Sequence, residues 1–459
     1  MVAASSARSA GAPEGGAVAG TQSIGPRRVG VGILGGGTVG AALVALLEER
    51  RSEIAARCGV QLVPVAMAVR SPDRPRAGVP AELLTGDAAA VVNHPVVDVV
   101  VELIGGLEPA RGLLLLALAA GKPVVTANKE VLATHGAELF AASRAAGADL
   151  LFEAAVGGAI PLVRALRQSL AGESVRRIMG IVNGTTNYIL SRMTAGGATY
   201  PEALAEAQAL GYAEADPRAD VEGHDAAAKA AIMAAVAFGA EVTAADVYCE
   251  GISALSAEDI AFARRLGHVI KLLAIVERVA GGAVAVRVHP AMVPEDHPLA
   301  AVRDSFNAVF VEGDACGELM LYGRGAGGRP TASAVLGDLI DAATNLRPAA
   351  ATGGAPILAG GPPPLGPACI HPIGELRTAY YLALEVIDRP GVLAAVAGVF
   401  GRHDVSIRSM EQEGLGEEAR IIFITHVACE SDMRATLENL RHLEAVRQVG
   451  SVLRVIAHE

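Results

Sequence analysis

"VGVGILGGGTVGAALVALLEER", Val29–Arg50, is the stretch on which the fold turns. Val29 to Leu34 is a short apolar strand, "GGGTVG" follows at once, and "AALVALLEER" has a helical pattern, so strand, glycine loop and helix succeed one another without a gap. Gly35, Gly37 and Gly40 stand in G-x-G-x-x-G register. Glycine there permits a tight turn and lets backbone N–H groups approach a pyrophosphate at the positive end of the helix. Further apolar strands follow at Leu62–Arg70, Val97–Gly106 and Lys122–Lys129. Continuous apolar strands alternating with helices predict a parallel sheet covered on both faces. The expectation is an α/β fold beginning with a Rossmann-type dinucleotide-binding domain over residues 28–148.

Leu34, Thr38 and Val39 join the three glycines as expected cofactor contacts, and Gly105, Gly106 and Lys129 should face the crevice from the carbonyl ends of later strands. The second strand ends "AVRSP". An NAD site usually places Asp or Glu there for the ribose hydroxyls, so Arg70 points to NADP, while the nearby Asp73 leaves NAD open.

A chain of 459 residues is too long for one core and implies two or three domains. The net charge of -11 argues against nucleic-acid binding, which relies on clustered Lys and Arg. The five cysteines are scattered, so neither a disulfide framework nor a zinc site is expected, and a reducing cytoplasm fits best. The longest apolar run, Leu113–Ala120, is well short of the roughly 18 to 20 residues of a membrane span. Residues 1–27 have no apolar signal region and read as a disordered tail.

From about Asp149 the pattern changes to alanine-rich helices followed by strands, an α+β catalytic and dimerisation domain over residues 149–324. Residues 325–345 form a helix behind a glycine loop and are expected to pack back on the first domain. Residues 346–377, with "ATGGAPILAGGPPPLGP", read as a linker. Residues 378–459 run β-α-β-β-α-β, the ferredoxin-like order.

Chemistry concentrates in "GYAEADPRADVEGHDAAAK", Gly211–Lys229. Lys229 lies in a helix that continues to Ala240 with no further charge, so the helix should be buried on every side. An ordinary surface ion pair between Asp225 and Lys229 would contribute only about 0.3 to 0.5 kcal/mol. A lysine at the cleft-facing end of such a helix is instead a tunable proton donor, because desolvation and the helix N-terminus both favour the neutral amine. Asp225 would hold it, while Glu214 and Asp220 put negative charge where an ammonium group could dock. His224 reads as a local hydrogen-bonding residue.

Ala207–Lys229 resembles the homoserine dehydrogenase signature: an Ala, a Gly four residues on, then D-P-x-x-D-hydrophobic-x-G-x-D-x-x-x-K. The glycine loop, "TANK", "FEAAVGGAIP" and the terminal domain resemble that family in its monofunctional, regulated form, over about residues 29–459. The resemblance implies interconversion of L-homoserine and L-aspartate 4-semialdehyde with NADP or NAD, in threonine and methionine biosynthesis. It makes Lys229 the proton donor, places Lys129 near the reacting oxygen, and assigns Glu214, Asp220 and Asp225 to the substrate. Gly211 and Gly325 would touch the cofactor. It also implies a sodium ion held largely by backbone oxygens at Glu153, Val156, Gly158 and Ile160. "DRPGVLAAVAGVF", Asp388–Phe400, resembles the ACT module, which in this family senses an amino acid, threonine, and implies a homodimer or homotetramer. Two other readings remain open: a sensor that kept the folds and lost the chemistry, and an aspartate-semialdehyde dehydrogenase, which needs an activated cysteine that no local context here supports.

Overall fold

The computed structural model describes residues 26–346, 366–367, 369–414 and 418–456. Of the expected tail, residues 1–25 lie outside them, and Arg27 opens the first strand. The first domain is built on β1 (Arg27–Leu34), β2 (Val60–Ala68), β3 (Leu84–Thr85), β4 (Val99–Glu102), β5 (Val124–Thr126) and β6 (Leu150–Leu151). All pairings are parallel, in the order β3-β2-β1-β4-β5-β6. The order reverses next to β1, which leaves a crevice at the strand ends where ligands of such sheets bind. The helices α1 (Thr38–Glu49), α2 (Ala110–Ala119) and α3 (Lys129–Ala146) cover the faces. Two glycines of the loop are demanded by packing. A Cβ on Gly35, whose φ is 109°, would lie 2.5 Å from the Leu103 carbonyl oxygen, and one on Gly40 would lie 2.2 Å from the carbonyl oxygen of Gly35.

The second domain contains β7 (Val175–Ile181), α4 (Gly184–Gly196), α5 (His224–Phe238), α6 (Ala257–Arg265), β8 (His268–Arg278), β9 (Val284–Pro294), β10 (Phe306–Gly313) and β11 (Gly317–Arg324). The alanines of α5 are buried nearly all round, and the small side chains let it lie closely on β8, β9 and α3. The chain then returns to the first domain as α7 (Gly328–Asn345), whose Ala332, Val335, Leu336 and Leu339 share a core with Leu43, Leu47, Val99 and Val101. Arg27 donates to the Ala343 and Leu346 carbonyls at the end of α7, fastening it to β1.

The terminal region runs β12 (Arg377–Ile387), α8 (Val392–Arg402), β13 (Ile407–Gly414), β14 (Glu418–Thr425), α9 (Glu430–Arg441) and β15 (Val446–Val455), the expected ferredoxin-like sequence of elements. Period-2 alternation along β12 explains its position. Tyr380, Leu382 and Leu384 point to the terminal helices, while Tyr381 and Ala383 join the core of the second domain. The two sheets are in fact one, with the main path β11-β10-β7-β8-β9-β15-β12-β14-β13. The join is the parallel pairing of Ala291 with Arg454 and Met292 with Val455.

Much of the stretch read as a linker, residues 347–365, lies outside the described residues. Its described end is no free tether. Gly366–Pro367 pairs with Ala240–Glu241, the Val284 N–H donates to the Cys369 carbonyl, and the His371 N–H donates to Val284. Composition marked the Gly and Pro correctly as breakers but carried no sign of these long-range partners. No helix among the described residues is long and apolar enough to cross a membrane.

Candidate active site

Three helix starts converge on one carboxylate. Asn128 caps α3 by accepting the Val131 N–H at 3.2 Å, which sets Lys129 in the first turn. Asn183 caps α4 by accepting the Thr186 N–H at 2.9 Å. Gly223, with φ 85°, turns the chain into α5 and puts Asp225 in its first turn, where a negative charge is favoured. Asp225 is 8% exposed, and its carboxylate holds three partners. Its Oδ1 is 2.7 Å from Lys129 Nζ, and its Oδ2 accepts from Lys229 Nζ at 2.7 Å and from Asn183 Nδ2 at 2.8 Å. The other hydrogen of Asn183 Nδ2 reaches Asp220 Oδ1 at 2.7 Å.

Burial alone would push the Asp225 carboxyl up, but the ammonium groups of Lys229 and Lys129 reverse that and hold it well below the usual carboxylate range. For Lys129, burial pulls its ammonium down and the Asp225 charge outweighs it, so Lys129 is held above its ordinary value. Lys229 also donates to the Val182 carbonyl at 2.6 Å. An ammonium group has three N–H donors, so one remains for a ligand. Its side chain is 12% exposed, at the mouth of the apolar helix rather than in bulk solvent.

Lys129, Asp220, Asp225 and Lys229 line a cleft of about 560 Å³ with Gly158, Gly211, Gly325 and Thr331. The loop at Gly325 runs on to Gly328, which packs against Thr38 at the start of α1, so this cleft adjoins the glycine turn. The turn fits a dinucleotide. Gly37 has no protein atom within 4 Å of the place its Cβ would take, so its missing side chain leaves room on the ligand side. The Glu102 carboxylate, wholly buried at the end of β4, accepts from the N–H groups of Ile104 and Gly105 and from the Thr126 hydroxyl, fixing the turn that carries Gly105.

Other expected residues lie elsewhere. Glu214 lines an adjoining cavity of about 460 Å³, which shares Lys129, Asp220 and Asp225 with the first. His224 is exposed on that second cavity and has no hydrogen-bond partner among the described residues, contrary to its reading as a local hydrogen-bonding group. Arg70 is exposed two residues past β2, whereas Arg76 bends back and donates from Nε to the Gly36 carbonyl at 3.0 Å. In the loop expected to hold sodium through backbone oxygens, the Glu153 carboxylate caps a helix start, accepting from Val163 N–H at 2.8 Å and Arg164 N–H at 2.7 Å. Only main-chain oxygens of Glu153, Val156, Gly158 and Ile160 are left there for a cation, and the described residues contain no His, Cys, Asp or Glu cluster placed for a metal.

Sequence reasoning missed Asn183, Glu102 and Arg76. Asn183 had a signal, since Asn ahead of "GTTNYIL" is a helix N-cap pattern. A lone acid at the end of an apolar strand, such as Glu102, was quoted within "ELIGG" without a role.

Known proteins share this architecture. Residues 35–153 match the model of the homoserine dehydrogenase NAD-binding domain, residues 161–340 that of homoserine dehydrogenase, and residues 380–445 that of the ACT domain. The homoserine dehydrogenase of Corynebacterium glutamicum is 51% identical over 421 residues, 91% of this chain and 93% of that protein. The crystal structure of a homoserine dehydrogenase from Thiobacillus denitrificans superposes with a TM-score of 0.88 at 44% identity, covering 94% of this chain and 99% of the other. A hyperthermophilic archaeal homoserine dehydrogenase in complex with NADPH gives a TM-score of 0.59 at 28% identity, over 70% of this chain and 99% of that one. With its nucleotide turn, its lysine–carboxylate centre and this breadth of similarity, the chain belongs to the homoserine dehydrogenase family, nicotinamide-dependent oxidoreductases acting on a CH–OH group.

Proposed function

We propose that the enzyme interconverts L-homoserine and L-aspartate 4-semialdehyde, with NADP as the preferred coenzyme, in threonine and methionine biosynthesis. The observation that carries this reading is the single carboxylate of Asp225 holding two ammonium groups in one cleft. When bound, the nicotinamide supplies or takes up the hydride. The protein's own part is electrostatic and protonic. Lys229 gives the hydroxyl oxygen its proton or takes it away, directly or through a held water, and Lys129 stabilises the oxygen as negative charge develops on it. Asp225 keeps both ammonium groups in position. Asp220 and Glu214 face the substrate's ammonium end, which would lie across Lys129 between the two adjoining cavities.

The preference for NADP rests on the basic side chains after β2, Arg70 and Arg76, and on the NADPH bound by the archaeal relative. Threonine sensing by the terminal module, a homodimer or homotetramer, and a cytoplasmic location complete the proposal. Sodium would be a structural ion held by carbonyls of residues 153–160, with no part in the proton chemistry.

The decisive experiment follows the reduced-nicotinamide absorbance band with homoserine and each coenzyme. Lys229→Ala should lower turnover by at least about 100-fold, the usual contribution of a positioned acid or base, with coenzyme affinity nearly unchanged. A near-normal rate would refute the assignment. Adding threonine and replacing sodium by potassium test the regulatory and ionic parts separately.

A further inference from the structure

A cavity of about 580 Å³ lies outside the active-site cleft and is as large as it. Its walls come from the second half of α4, the end of α6, the start of β8 and the loop between β9 and β10. Charge is unevenly spread there, with Arg192, Arg264, Lys271 and Arg303 set against Glu295 and Asp304. None of these residues belongs to the lysine–carboxylate centre.

Lys271 is 4% exposed, and its ammonium donates only to neutral oxygens, Asn187 Oδ1 at 3.0 Å and the Val302 carbonyl. No carboxylate among the described residues comes within ion-pair distance of its nitrogen, and Asp304 attracts it only from farther off. A buried charge without a counter-charge is costly. Burial, then the Arg303 guanidinium, pushes the Lys271 ammonium down to about 8, so at neutral pH it still carries its charge. Arg192 is committed to Glu206 at 2.9 Å, whereas Arg264 and Arg303 are exposed and form no ion pair among the described residues. The positive charge of this cavity is therefore unbalanced.

The wall is held in a strained shape. Asp304 has φ 54°, a left-handed conformation rare for a residue with a side chain. Its N–H donates to Ser191 Oγ at 3.1 Å, and Asn187 Nδ2 donates to the Asp304 and Phe306 carbonyls at 2.9 and 3.1 Å. Through this turn Arg303 and Asp304 line the second cavity, while Ser305 and Asn307 line the active-site cleft. Guanidinium groups recognise oxyanions through paired N–H donors, and an ammonium in a poorly solvated wall adds attraction. No aromatic side chain among the described residues lines the cavity, so nothing there would stack a nucleotide base.

We propose that this cavity binds a small oxyanion, a phosphate or carboxylate head group held by Arg264 and Arg303 with the Lys271 charge behind it. The test is calorimetric titration of the full chain, saturated with NADPH so that the coenzyme site is closed to anions, with orthophosphate and separately with succinate. One or both should bind, and the stronger of the two identifies the head group. The double variant Arg264→Gln, Arg303→Gln, altered only at exposed side chains, should weaken that binding about tenfold or more. Lys271→Met also releases Asn187 and Val302 and can fail to fold, so the role of Lys271 is read in the unaltered chain. Near pH 8, where its amine is partly charged, binding of sulfate should draw in protons, because an anion favours the ammonium form. Heats measured in two buffers of different ionisation enthalpy show that uptake. Absence of binding by both anions, equal affinity in the double variant, or sulfate binding without proton uptake would overturn the proposal. Anion binding seen only without NADPH would assign the anion to the coenzyme site and overturn it as well.

Discussion

Arg454, in the last strand, donates from Nη1 to Glu250 Oε2 at 2.8 Å, across the seam between the terminal module and the second domain. The same guanidinium reaches both carboxylate oxygens of Glu430, at 3.0 and 2.7 Å. Glu250 stands between Cys249 and Gly251, and these pack against the entry to α5. A Cβ on Gly251 would lie 2.4 Å from the Val221 carbonyl oxygen, and one on Gly223 would lie 2.8 Å from Cys249 Sγ. Gly223 is two residues from Asp225. Contacts therefore run unbroken from the last strand to the carboxylate between the two lysines.

Arg454 should matter to stability far more than Glu250 does. Arg454→Met takes the buried cation from the Glu430 carboxylate, which keeps only the Tyr380 hydroxyl and the more exposed Arg434, and should cost about 3 kcal/mol, the low end of the range for breaking a buried pair. Glu250→Gln removes a partner that is 36% exposed and should cost only about 0 to 1 kcal/mol. Urea unfolding of the two variants measures the difference. Equal losses would mean that the seam is held by packing of Tyr381 and Leu453 rather than by this cluster.

The glycines of the nucleotide turn should separate folding from binding. Gly37 has φ -77° and open space at its Cβ, so Gly37→Ala should change stability by no more than about 1 kcal/mol, the scale of a helix-cap change. Its methyl would nevertheless occupy the ligand side, and NADPH affinity should fall by about tenfold or more. Gly40→Ala drives a methyl to 2.2 Å from the Gly35 carbonyl oxygen, and the strain should cost about 1 to 3 kcal/mol before any ligand is added. Melting curves and coenzyme titrations on both variants check the contrast. A Gly37→Ala protein that binds normally would move the pyrophosphate away from this turn.

Asn183 should act on turnover through the carboxylates it joins. Its amide nitrogen is shared by Asp220 and Asp225 while its oxygen caps α4, so the side chain has one possible orientation. Asn183→Ala should cost about 1 kcal/mol as a lost cap. The two carboxylates would then spread apart, and turnover should fall roughly 100-fold, the scale of a 1 Å misplacement. NADPH affinity should hold. If coenzyme affinity fell in step with turnover, the damage would be general rather than confined to the lysine centre.

Local signals were legible because they obey local rules. The turn at Gly35 and Gly40 follows from close approach of strand and helix, and the link from Asp225 to Lys229 follows from one helical turn on an otherwise apolar rod. What escaped was set by distant chain. Glu214 was anticipated as a partner of Asp220 and Asp225 but its cavity was not: it lies eleven residues before Asp225, and the turns around Pro217 and Gly223 deliver it to the adjoining one. Arg70 lies two residues past β2, close to the expected place, but it is Arg76, six residues farther on, that folds back onto Gly36, and no periodicity in a loop announces that return. The pairing of Met292 with Val455 joins segments with no shared pattern, so a Gly- and Pro-rich stretch between them read as a tether.

Asp338 supplies a pH dependence with a definite sign. It is buried in α7, its Oδ2 accepts the Glu153 N–H at 2.7 Å, and Arg164 donates to its Oδ1 at 3.0 Å. Burial is the largest influence and pushes its carboxyl up to about 7, the Glu153 N–H and Arg164 offsetting only part of it. Unfolded, the group titrates near its ordinary 3.8. Between these values the folded chain keeps a proton that the unfolded chain has lost, so stability falls as pH rises through the window and levels off above about 7. The slope is about 1.4 kcal/mol for each pH unit over which only the folded state holds the proton. Asp338→Asn cannot titrate. Its stability, measured by denaturant unfolding from acid to neutral pH, should decline less than that of the unaltered chain, with a residual slope of the same sign from Glu153, which burial also pushes up. A difference between the two proteins that grows in favour of aspartate as pH rises would mean that Arg164 holds Asp338 as a carboxylate, and that the ion pair, not burial, governs this joint between the two domains.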